Sequence, residues 1–225
     1  MSDNELKKER DNKYVVYHNT GFDVPNTNSC LKYVLIGITP GNNQSFKEGE
    51  KLEVEFGSIN YKFKKAFNGK QMRKNLDDMF KYINEKVHKG LLDELIKSYG
   101  SNIDLLFNYT NKSVIDFTSL LKNATYKITK SGDEKMFNRP KEINEKHKEL
   151  YESEFLNGFK KDYDEIYSKK DIVYIACGKQ VYNFLISKMK IKKEKVIAIV
   201  HPSGAAQGCI NSFKEGNYNP EELYK

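Results

Sequence analysis

The sequence predicts an α/β protein, a three-layer α/β/α fold around a central, mainly parallel four-stranded sheet. Three observations carry that expectation. Four short apolar runs, "KYVLIGI" (32–38), "SVIDFTSLL" (113–121), "DIVYIACG" (171–178) and "KVIAIVH" (195–201), are rich in Val and Ile. They lack strict polar alternation, as strands buried on both faces of a parallel sheet do. Helical patterns separate them, so the chain reads strand, helices, strand, helix, strand, helix, strand.

Each element has its own justification. The first run ends in "GITPGNNQ" (37–44), where Gly37, Pro40 and Gly41 enforce a tight turn and let backbone N–H groups approach a ligand. Segment 41–70 then carries Gly41, Gly49, Gly57 and Gly69 without regular periodicity. In "KNLDDMFKYINEKV" (74–87), Leu76, Met79, Phe80 and Ile83 fall on one helical face. After the second run, 122–140 is again irregular, and both irregular segments leave strand ends, as substrate-covering loops do. Over 141–168, Tyr151, Phe155, Phe159 and Tyr163 recur every fourth residue and Ile166 continues the stripe, which predicts a long amphipathic helix bent at Gly158. "GKQVYNFLISKMK" (178–190) aligns Val181, Phe184, Leu185 and Met189 at helical spacing. The last run delivers His201, Pro202, Ser203 and Gly204 to a strand end.

A chain of 225 residues suits one compact domain spanning 1–225. Its 38% hydrophobic and 31% charged residues describe a globular rather than a disordered chain. Net charge of +7 fits a polyanionic partner, and it also fits a lysine-biased composition, because only Arg10, Arg73 and Arg139 are arginine. Cys30, Cys177 and Cys209 form no CxxC, so neither a disulfide framework nor a four-thiolate cluster is expected, and a reducing compartment is. His18, His88 and His147 share no ligand spacing, so no metal site is expected. No apolar stretch reaches membrane-spanning length and "MSDNELKKER" lacks a signal-peptide core, which points to a cytoplasmic protein away from the membrane. Neither a GxGxxG nor a GxxxxGK[ST] pattern is present, and no cofactor is expected.

Gly-x-x-Pro-Gly after the first strand together with His-Pro-Ser after the last resembles the uracil-DNA glycosylase superfamily, over roughly residues 30–215 by element order. The resemblance implies a uracil-DNA glycosylase-like domain and a monofunctional hydrolase of N-glycosyl bonds. Such an enzyme flips a base from DNA and leaves an abasic site. It implies a monomer with DNA as partner. Catalytic candidates are Thr39, Asn42, Asn43, Asp116 and His201. Gly37, Ile38, Pro40, Gly41, Gln44, Phe46, Phe117, Ser203, Gly204 and Gln207 are candidates for holding substrate. In the family the first motif positions the attacking water and the second places a histidine beside the leaving base.

Two departures from the family pattern matter. Thr39 stands where many members carry Asp or Asn, and a hydroxyl holds water but is no general base near neutral pH. In "VID" (114–116), Asp116 occupies the place of a base-reading asparagine. An ionised carboxylate only accepts hydrogen bonds, so it is matched by the N4 amine of a cytosine-type base and repelled by uracil O4. The expected substrate is therefore a hypermodified cytosine, for example glucosylated hydroxymethylcytosine in phage DNA, with antiviral defence as the setting. Two alternatives stay open: a uracil-DNA glycosylase of base-excision repair, and a catalytically silent member that binds DNA or a nucleotide. Asp116 could also cap a turn or pair with a lysine. Phe46 and Phe56 either stack on the flipped base or pack in the core, and Phe117 has the same two readings.

Overall fold

The computed structural model describes residues 8–10, 14–17, 22, 24–39, 58–136, 148–202, 211 and 215. The chain interleaves two compact units. The first comprises Met1–Thr27, Ile36–Ala66 and Phe117–Asp171, and the second Asn28–Leu35, Phe67–Asp116 and Ile172–Lys225.

The four apolar runs form the expected sheet. Strands β3 (Tyr33–Gly37), β4 (Ile115–Ser119), β7 (Val173–Cys177) and β8 (Val196–Ile199) lie in the order β4-β3-β7-β8, all parallel. Val34, Ile36, Ile115, Ile175 and Ile197 are wholly buried, which explains why these strands show no polar alternation. In the second unit the amides of Lys32 and Tyr33 both donate to Val114 O, at 2.8 and 2.9 Å. The Val173 amide donates to Lys32 O at 2.9 Å, and that of Gly178 to Ile199 O at 2.7 Å. In the first unit the pairing runs past the strand ends, with Leu120 N donating to Gly37 O at 3.0 Å and Leu121 N to Ile38 O at 2.9 Å.

The first unit contains a second sheet that the sequence reading does not anticipate. Strands β1 (Lys8–Arg10), β2 (Tyr14–Tyr17), β5 (Ala124–Ile128) and β6 (Glu134–Met136) pair antiparallel in the order β1-β2-β5-β6. Segment 122–140 is therefore not a loop over its described part, since β5 and β6 occupy it. "ATYKI" is too short to show a period, and it becomes a strand because "YVVY" of β2 offers it an edge, with Val15 opposite Tyr126. Val16, Leu121 and Leu150 form a small core, against which Tyr14, Ile38 and Tyr151 pack.

The aromatic stripe over 148–165 is helical. Lys148–Leu150 leads into Tyr151–Lys160, which winds in the wider i→i+5 manner, and Lys161–Glu165 returns to α geometry; together they form helix α4. Ring centroids of Tyr151 and Phe155 lie 5.0 Å apart, those of Phe155 and Phe159 6.3 Å. Gly158 has a packing reason. A Cβ there would overlap Cγ of Lys122, whose buried stem crosses the helix and whose Nζ reaches Asp162 Oδ2 at 2.5 Å and donates to Thr118 Oγ1 at 3.1 Å. Helix α1 (Ile59–Lys65), capped by the Ser58 hydroxyl accepting from Tyr61 N, occupies part of the second segment read as irregular.

In the second unit α2 (Lys70–Tyr82) buries Leu76, Met79 and Phe80 as its periodicity predicts, and runs on into a wide turn at Ile83–Val87. Helix α3 spans Asp93–Tyr99, and α5, Lys179–Ser187, buries Val181, Phe184 and Leu185. Helix α5 stops before the predicted Met189, because Lys190 adopts a left-handed backbone at φ 59°.

Gly158→Ala tests the crossing of Lys122 over α4. Helix propensity favours Ala by up to about 1 kcal/mol, whereas overpacking costs about 1–3 kcal/mol. Because the Lys122 stem is held at both ends, a net loss of stability in urea denaturation is expected. Unchanged or raised stability would show that the stem gives way freely.

Candidate functional site

Strand β8 is apolar and buried to its end, and Val200 continues it into the interior. The chain then reaches His201, which is exposed, and Pro202, which is buried. A strand–residue–proline junction has few backbone bonds of its own, so a side chain has to hold it. Asn75, wholly buried on α2, donates from Nδ2 to Pro202 O at 3.0 Å. Its Oδ1 accepts from Gln71 Nε2 at 2.9 Å, one helical turn earlier, which fixes the amide's orientation.

Beside the imidazole lies Phe67, with ring centroids 6.3 Å apart and planes at 50°. Phe67 has φ 47°, a left-handed backbone that bulky residues seldom adopt. The turn is held from several directions. Phe67 O accepts from Gly69 N at 2.8 Å and from Arg73 Nε at 3.3 Å. Arg73 in turn pairs with Asp104 at 2.9 Å and lies 4.2 Å from the centre of the Phe107 ring. This half-buried ring is one the sequence reading misses, because "AFNG" carries no motif and the strain is visible only in the backbone.

Desolvation by the atoms packed around it lowers the pKa of His201 below the ordinary value of 6.5. The imidazole is therefore neutral at pH 7, with one N–H to donate. Asp116 also belongs to the second unit. It is the second residue of β4 rather than its last, and it is wholly buried. The run read as a strand over 113–121 is a strand over Ile115–Ser119, and Asp116 lies near its amino end.

The first unit holds the other half of the sequence-predicted residues. Gly37 ends β3, and a Cβ placed on it would stand 3.5 Å from Ser119 Oγ, so the two strand ends face each other closely. Ile38 packs in the apolar cluster with Leu121, as core rather than as a substrate contact. Thr39 is buried; its hydroxyl donates to Asn123 O at 3.2 Å and accepts from Thr125 N at 2.9 Å. The single hydroxyl proton is thereby committed to backbone, which leaves one lone pair and makes Thr39 a clamp between β3 and β5. Phe117 is core: its ring meets the edge of Phe63 at 5.0 Å and 76°, and it is 1% exposed, so the stacking alternative does not apply to it. Pro40, Gly41, Asn42, Asn43, Gln44, Phe46, Phe56, Ser203, Gly204 and Gln207 lie outside the described residues.

Asn123 is the second residue missed from sequence. Glu154, buried on α4, accepts from its backbone N at 2.8 Å and from its Nδ2 at 3.0 Å. That two-point grip uses the amide donor and turns Oδ1 away; among the described residues nothing donates to Oδ1. Asn123 is half-buried and four residues past β4, so it is an acceptor presented beyond a carboxyl strand end.

Among the described residues, no group of three or more His, Cys, Asp or Glu side chains is placed to hold a metal ion, and no helix is long and apolar enough to cross a membrane. Burial pushes the Cys177 thiol up to about 12, which makes it unreactive near neutral pH. The chain matches no family model, no curated protein and no solved structure.

The lowered pKa values of His201 and of His88, both caused by desolvation, predict a pH dependence of stability. The folded state binds these protons less readily than the unfolded one, so stability rises with pH. The contribution is complete above the unfolded value of 6.5 and is lost as pH falls through the folded values. Urea midpoints should drop between pH 7 and pH 5, and His88→Gln with His201→Gln should flatten that slope.

Proposed function

We propose that the chain is a monofunctional DNA glycosylase acting on an amine-bearing modified base. The observation that carries this reading is the place of His201 just past the carboxyl end of β8, where the Asn75–Pro202 hydrogen bond holds the chain. Ligands of parallel α/β sheets bind outside the carboxyl ends of the strands, near the place where strand order reverses, here between β3 and β7. Of the motifs "GITPGNNQ" and "HPSG", which resemble those of uracil-DNA glycosylases, the described residues 37–39 and 201–202 lie at or just past the ends of β3 and β8.

The chemistry follows from charge. The target nucleotide leaves the stack at a cost of roughly a few kcal/mol. As the C1′–N1 bond lengthens, its electron pair moves onto the pyrimidine and the sugar becomes cation-like. The His201 N–H donates to the base O2, where negative charge gathers, and a neutral imidazole performs this without first losing a proton. Water adds at C1′, one of its protons ends on the departing base, and an abasic site remains. Phe67, half-buried beside His201, is an aromatic ring next to that imidazole. Base choice rests on an acceptor: the Asp116 carboxylate, in the same unit as His201, suits the N4 amine of a cytosine derivative. A hypermodified cytosine in phage DNA is the substrate this reading favours, with antiviral defence as its setting in the cytoplasm.

One observation favours a second reading. With the Thr39 hydroxyl committed to backbone, the first motif supplies no described group that activates water, as in a silent DNA-binding member of the fold.

Duplexes containing uracil, 5-hydroxymethylcytosine or its glucosylated form, followed by alkaline cleavage, separate these readings. Preferential nicking at the glucosylated base is expected, with His201→Ala slower on the order of 100-fold. Asp116→Asn should lower activity on cytosine derivatives relative to uracil. Preferential cleavage of uracil by the native chain would sink the acceptor argument. A DNA shift without alkali-labile sites on any substrate would establish the silent reading.

A further inference from the structure

At the opposite end of β8 from His201 lies "SKMKIKKEK" (187–195), with five lysines against one glutamate. Lys188, Lys190, Lys192 and Lys193 are exposed, whereas Ile191 is buried and Met189 half-buried, so the lysines occupy the solvent side and the apolar residues anchor the loop. The backbone is well tied. Lys188 N and Met189 N donate to Phe184 O at 2.9 and 3.2 Å, Ile191 N to Leu185 O at 3.1 Å, and Lys195 N to Lys192 O at 3.0 Å.

Two features set this loop apart from a merely lysine-rich surface. Several lysines elsewhere are matched with carboxylates, Lys32 with Glu94, Lys74 with Asp78, Lys81 with Asp77, Lys148 with Glu152 and Lys160 with Asp164, and those without an ion pair among the described residues, such as Lys86, Lys89 and Lys97, are more widely spaced than the four that fall within 188–193. Among the described residues, Lys188, Lys190, Lys192 and Lys193 carry no ion pair. In addition, Lys190 occupies the left-handed position that follows the end of α5, at φ 59°, where glycine would be unstrained. Lysine at this position costs backbone strain that glycine would avoid.

We propose that this loop is a second contact for the phosphate backbone of duplex DNA, separate from the base-binding end of β8. Its chemistry selects that partner. Point charges spread along a rigid loop match a row of phosphates and supply affinity without reading sequence. An anionic membrane would call for exposed apolar residues to insert, and here Ile191 faces inward. The inference rests on the reading of this chain as DNA-binding, and not on its glycosylase chemistry.

The experiment is a salt titration of the affinity of the full chain for an unmodified duplex, read by fluorescence anisotropy. The quadruple variant Lys188→Ala, Lys190→Ala, Lys192→Ala and Lys193→Ala should lower the magnitude of the slope of log K against log salt by about 3–4, since each phosphate neutralised contributes ~0.9. A control replaces Lys74, Lys86, Lys89 and Lys97 of the same unit, all exposed, with alanine and should change the slope by less than about 1. Lys190→Gly should raise thermal stability and lower the slope by about 1. Equal losses in loop and control variants would overturn the proposal, as would an unchanged slope in the quadruple variant, or lost binding to phosphatidylserine vesicles with DNA binding intact. If the native chain binds no duplex, this inference and the DNA reading fail together; if it binds with a slope indifferent to the loop, this inference alone fails.

Discussion

The arrangement depends on β3 being an interior strand. Its neighbours are β4 on one side and β7 on the other, so its backbone groups are spoken for along both edges. A strand so placed is enclosed on both faces, and only Val, Leu and Ile satisfy that requirement without burying polar atoms. The reversal of strand order beside it determines which strand ends gather ligand-binding residues. Gly37 ends β3 opposite Ser119, whose Oγ lies 3.5 Å from where a Cβ would stand, an ordinary contact distance.

Polar residues in both units have been recruited to hold loops that the sheet cannot hold. In one unit, Asn75 grips Pro202 and Arg73 grips the strained turn at Phe67, which together set the surroundings of His201. In the other, Glu154 grips Asn123, and Thr39 bridges Asn123 and Thr125. These groups are buried or half-buried and engaged in the hydrogen bonds named, as interior polar atoms are in general. The same economy explains the Lys122–Asp162 pair, whose lysine stem passes where Gly158 leaves room. Buried pairs of this kind do little for net stability, and their partners are costly to remove singly.

The four strands of the parallel sheet and the helices at 74–87, 148–165 and 179–187 were legible in the sequence, because apolar periodicity is a local property that burial imposes directly. The antiparallel sheet was not. Strands β5 and β6 are only five and three residues long, and although they pair with each other, β5 joins the sheet through β2, more than a hundred residues distant. No local pattern reports such a partner.

By itself the sequence determined the fold class, the strands that would be buried and the histidine that ends the last of them. These follow from composition and spacing along the chain. The tertiary structure alone decided that the Thr39 hydroxyl is spent on backbone, that Phe117 is core, that Phe67 sits in a strained turn beside His201, and that Glu154 holds Asn123. The reason is physical: hydrogen-bond partners and backbone strain are set by groups 30 to 130 residues apart in the chain, as between Asn75 and Pro202 or Asn123 and Glu154, and only folding brings them within reach.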